Sequence, residues 1–247
     1  LLEFAGVGVM MLENITLYYA VELRPYAAGL AASVTLPLVA LWLIARPSPR
    51  RLAVFILVFL TLGTMQYNSL PIELAVALML VVAAVTATRK EGRTYTLVGA
   101  VLALLWLPIF YLLTRGNPLR VDEGEALDYI PDLVLADMPT DRLIQTLATN
   151  LFSATALPRT IFIALIPIVW LVARNKQRAV ELVIPRNTAL LWLFVTAATL
   201  ASFALAILGF IPWLVGSRWS IADVGLIAVS LIGALSLVAE RSWMRST

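Results

Sequence analysis

The chain has 247 residues, of which 61% are hydrophobic and only 13% charged, with no Cys, no His and a net charge of +3. Soluble domains run nearer half apolar and a quarter charged, so this balance sets aside a soluble α/β fold and points to burial in lipid. The missing residue types also exclude disulfides, Cys-ligated zinc, iron–sulfur clusters, His-ligated haem, His general bases and Ser-His triads within this chain. The expectation is no protein-ligated cofactor or metal, with bound lipid as the non-protein component left open.

A helix needs about 20 mainly apolar residues to cross a bilayer. Candidate stretches occur at residues 4–21, 27–45, 52–67, 72–88, 95–114, 160–173, 188–215 and 219–239. The first carries a Glu-Asn pair, Glu13 and Asn14, and the third and sixth are short. No positively charged region precedes the first apolar run, so no signal peptide is expected.

The links test this division. Short cytoplasmic loops accumulate Lys and Arg. Basic links carry Arg46, Arg50 and Arg51, then Arg89, Lys90 and Arg93, then Arg174, Lys176, Arg178 and Arg186, and the tail carries Arg241 and Arg245. They alternate with the non-basic stretches QYNSLPIE, the long segment 115–159 and GSRW. That alternation requires the third and sixth stretches to span and places the C-terminus in the cytoplasm. Residues 4–21 then decide between eight helices with both ends inside and seven with the N-terminus outside. The expected fold is an all-α integral membrane bundle of seven or eight helices, one transmembrane domain over 1–247, in a plasma membrane of prokaryotic type.

The long outer segment at 115–159 is acidic in its first part, with Asp122, Glu123, Glu125, Asp128, Asp132 and Asp137. Its second part predicts a short amphipathic helix on the outer membrane surface or on neighbouring helices. Thr140 stands at the N-cap, Asp141 in the first turn, and Leu143, Ile144, Leu147 and Leu151 recur at helical spacing.

Candidate sites are few. Glu13 shares a helix face with Gly6, Val9, Thr16 and Ala20, a mostly small or polar surface suited to helix contact. Intramembrane carboxylates are functional by default, which makes Glu13 and Asn14 a candidate ion or proton site. The competing and favoured reading is a buried acid bonded to a neighbouring helix. Gln66, Asn68, Glu73 and Asp223 all fall near the outer ends of their stretches. They could line an outward vestibule, but residues of this kind more often mark where helices leave the hydrocarbon.

Pro37, Pro108, Pro167 and Pro212 lie inside apolar stretches, where proline removes a backbone donor and tends to kink the helix. Small residues recur four apart at Ala28 and Ala32, Gly29 and Ser33, Gly99 and Ala103, and Ala198, Ser202 and Ala206, which lets backbones approach closely. The acidic run from Asp122 to Asp128 lacks the spacing of an EF-hand loop. It resembles the acidic outer loops of multi-pass glycosyltransferases that use lipid-linked sugars; in those the acidic pair follows an early helix, and here it follows about the fifth. Phosphate-binding GxxxxGK[ST], HExxH and GxSxG motifs are absent, and the basic links are too short for a nucleic-acid domain.

The favoured expectation is a non-catalytic membrane subunit that anchors or scaffolds a larger complex. It would hold other protein subunits through its small-residue faces and outer loop, and contact membrane lipids. The alternative is a permease subunit for a small or lipidic solute, and an enzyme on lipid-linked substrates ranks third.

Overall fold

Apolar runs punctuated by proline and basic residues wind into helices. The structure is a computed structural model that describes residues 26–65, 69–115, 138–152, 157–175, 186–208 and 225–235. Among the described residues eight helices form and no strand. They are α1 (Tyr26–Ala45), α2 (Pro49–Met65), α3 (Leu70–Val85), α4 (Lys90–Arg115), α5 (Thr140–Phe152), α6 (Leu157–Asn175), α7 (Arg186–Ile207) and α8 (Gly225–Leu235). Pro37, Pro108 and Pro167 lie within α1, α4 and α6. The candidate stretch 4–21 and Pro212 lie outside the described residues.

The all-helical class is observed, but the count of seven or eight crossings does not follow from helix length. Two segments, Gly92–Phe110 within α4 and Arg186–Ile207, are long and apolar enough by themselves to cross a bilayer; α3 and α8 are apolar but shorter.

Local chemistry sets several helix ends. Ser48 accepts a hydrogen bond from the Arg51 amide at 3.3 Å, and Pro49 follows it as the first residue of α2. This is a hydroxyl N-cap with proline where its missing N–H costs nothing. In α5 the expectation is off by one residue. The Leu143 amide donates to the Pro139 carbonyl at 2.8 Å, so Pro139 holds the cap position and Thr140 is already helical.

α3 is the central helix. It packs most extensively on α4 and α7, and also meets α1 and α2. Ile72, Ala75, Val76, Ala77, Met79, Leu80 and Ala83 join the main core with Leu36 and Leu43 of α1, Phe55 of α2 and Phe194 of α7. Small residues bring the backbones together. Ala32, Ser33, Ala103, Ala198 and Ala206 are all buried.

In α4 the usual arrangement is turned inside out. Its buried face is Thr96, Gly99, Ala100, Ala103 and, near its end, Phe110, while Leu97, Val98, Val101, Leu102, Leu104, Leu105, Ile109 and Leu112 are exposed. Leu105 is 57% and Leu112 66% exposed. At 1.5 Å per residue this outward aliphatic face runs roughly 22 Å along the helix.

Seven basic residues of the turns gather at one end of the bundle. The α1–α2 and α3–α4 turns lie together, since a Cβ at Gly92 would come within 3.3 Å of Pro47. The start of α7 joins them: Arg186 donates to the Ala83 carbonyl at 3.1 Å and reaches the Thr86 hydroxyl at 3.4 Å. Arg46, Arg50, Arg51, Arg89, Lys90, Arg93 and Arg186 therefore belong to one end. Arg51 is anchored there by a 2.6 Å bond to the Trp42 carbonyl and stacks 4.3 Å over the Trp42 ring. At the other end Leu70, Phe110 and Ala206 form a second core, against which Met138, Leu143 and Leu147 pack. The apolar face of α5 thus covers neighbouring helices.

Candidate functional site

At the end opposite the basic turns, α2 and α3 enclose a carboxyl group. Glu73 stands in the first turn of α3 and is 0% exposed. The chain enters α3 through Ser69, Leu70 and Pro71. Ser69 occupies the N-cap but makes no side-chain capping bond. A capping hydroxyl normally receives the amide of the second or third helical residue. Here the second is Pro71, which has no N–H.

The Ser69 hydroxyl turns instead to the side-chain site. Its oxygen lies 2.5 Å from Glu73 Oε1 and 3.3 Å from the Gly63 carbonyl oxygen. Gly63 belongs to the last turn of α2, whose carbonyls lack intrahelical partners. It also makes room for the acid: a Cβ there would come within 2.8 Å of Glu73 Oε1 and 3.0 Å of its Cδ.

The second carboxyl oxygen, Oε2, is buried with no hydrogen-bond partner among the described residues. So is Trp106 Nε1 on α4; the Trp106 side chain packs against both cores and stacks on Phe110 at 6.1 Å. A carboxyl withdrawn from water, with one oxygen engaged and one bare, can hold a proton or offer oxygen to a hard cation. Among the described residues no group of three His, Cys, Asp or Glu could hold a metal ion.

Of the candidate site residues read from sequence, only Glu73 is described. Its side chain is enclosed within the bundle. Glu13, Asn14, Gln66, Asn68, Asp122, Glu123, Glu125, Asp128 and Asp223 lie outside the described residues. Sequence reasoning missed Ser69 and Gly63. A hydroxyl four residues before a carboxylate, with proline between them, was the available signal for Ser69. It also missed Arg159, assigned to the end of the outer segment. Arg159 belongs to the first turn of α6 and is 1% exposed, among the largest fully buried side chains.

Compared with protein-family models, characterised proteins and solved structures, the chain matches none.

Proposed function

We propose that the chain is a polytopic integral membrane protein of seven or eight crossings, and that it serves as a non-catalytic subunit anchoring or scaffolding a larger membrane complex. The outward face of α4 carries the membrane reading. Soluble monomers rarely expose contiguous apolar patches beyond a few hundred Å². A helix that buries Gly and Ala while exposing Leu, Ile and Val is packed for lipid, where close backbone contact replaces hydrophobic burial between helices. The gathering of basic residues at one end supports a cytoplasmic assignment for that end. Small-residue packing and the absence of Cys and His from the sequence support a structural role.

Glu73 favours a second reading, a permease subunit, because a carboxyl enclosed between membrane helices is the usual equipment of an ion or solute path.

Mild-detergent purification from the native membrane, with mass spectrometry of what stays bound, tests the proposal. Stoichiometric partner subunits support the scaffold. A chain that purifies alone overturns it and turns attention to flux in Glu73→Gln.

A further inference from the structure

Glu73 is fully buried, and its one hydrogen bond among the described residues, at Oε1, constrains where its proton sits. A serine hydroxyl has one proton to give. Two acceptor oxygens lie within its reach, Glu73 Oε1 at 2.5 Å and the Gly63 carbonyl at 3.3 Å. If the serine proton went to an ionised Glu73, the Gly63 carbonyl would lose this donor. A full negative charge would then sit inside the bundle on one hydrogen bond, with Oε2 without a partner among the described residues. Burying an ion so poorly compensated is far more costly than burying a neutral acid.

We infer that Glu73, Ser69 and Gly63 form a proton-binding site, in which Glu73 is a neutral carboxylic acid that donates its proton to Ser69 Oγ while Ser69 donates to the Gly63 carbonyl. This arrangement gives both contacts a proton and leaves no buried charge. Only the carbonyl-like oxygen of the acid remains without a donor. The room left by Gly63 lets the acid lie along the end of α2. The ligand of the site is the proton itself, held in a two-step relay between α3 and α2. The inference rests on enclosure within the bundle and stands or falls separately from the scaffold reading.

The test is infrared difference spectroscopy of the full chain in detergent at neutral pH, wild type against Glu73→Gln. The expected result is a protonated-carboxyl C=O stretch in wild type that is lost in the variant. Ser69→Ala, a smaller change, is the second variant. It should keep the band and move it to higher frequency, because the acid loses its acceptor. Carboxylate stretches in place of the protonated band, or a band unmoved by Ser69→Ala, would overturn the inference. Far-ultraviolet circular dichroism confirms that each variant retains its helix content. If Glu73→Gln does not fold, the Ser69→Ala shift decides alone.

Discussion

Gly225 of α8 and Ser33 of α1 meet so closely that Gly225 has no room for a side chain. A Cβ at Gly225 would fall 1.7 Å from Ser33 Oγ and 2.7 Å from its Cβ. The serine cannot turn aside without losing its 2.8 Å bond to the Leu30 carbonyl. Gly225→Ala should therefore push α8 off α1, with an overpacking cost of about 1–3 kcal/mol. Thermal unfolding in detergent reads this as a lowered Tm. Combining it with Ser33→Gly should restore most of the loss, because the clashing atoms are gone.

A second pair tests the acid's enclosure. Gly63→Ala places a methyl 2.8 Å from Glu73 Oε1. The carboxyl is held by Ser69, so the expected cost is again about 1–3 kcal/mol. In a Glu73→Ala background the same Gly63→Ala change should cost close to nothing. Equal costs in both backgrounds would mean that Gly63 is not shaped around the acid.

The environment of α4 is testable by one charge. Leu105 stands near the middle of the outward face. In hydrocarbon, Leu105→Arg should disfavour insertion by about 3 kcal/mol, read as a drop in the inserted fraction in a translocon assay. At a water-facing position the same change would usually be worth less than about 0.5 kcal/mol.

The sequence contains no Cys, so single-cysteine labelling has no background to subtract. Ser48→Cys and Thr88→Cys, in the two turns at the basic end, should react with a membrane-impermeant thiol reagent only from the cytoplasmic side. Thr149→Cys on α5 is exposed and should react only from the other side. Labelling of all three from one side would refute the topology.

Trp192 links α7 to α6 by donating from Nε1 to the Ile163 carbonyl at 2.9 Å. Trp192→Phe removes the donor and part of the indole that packs on the core, so it should cost at least about 1 kcal/mol. Denaturant titration with helix content as the signal measures it.

The helices themselves were legible because hydropathy and helix formation coincide over long apolar runs. Their ends were less so. α4 begins at Lys90, five residues before the expected stretch, because KEGRT is polar yet takes helical geometry. Hydropathy measures transfer from water, whereas a helix needs only backbone bonds. α3 begins at Leu70 because Pro71 suits a first turn. The amphipathic character of α5 was plain from its leucine spacing, but not which surface its leucines would cover. Glu73 was visible as an acid near a stretch's end. Its enclosure was not, because it depends on Gly63 of the preceding helix, and local pattern does not report which residues two helices bring together. The same limit hid Arg159, whose burial is a property of the assembled bundle.

The reversed packing of α4 divides its positions into two alphabets. Outward sites such as Leu97, Val101 and Leu105 are among the exposed ones, so Leu, Ile, Val and Phe should be interchangeable there with little effect. Inward sites such as Gly99 and Ala103 admit only the smallest side chains. At Gly99 a Cβ would already stand 3.5 Å from Leu43 and Leu52 and 3.6 Å from Leu80. A deep mutational scan of α4 would then show tolerance opposite to that of a helix on a water-soluble protein. The permissive side would accept nearly any greasy residue and reject charge, and the restrictive side would be governed by volume.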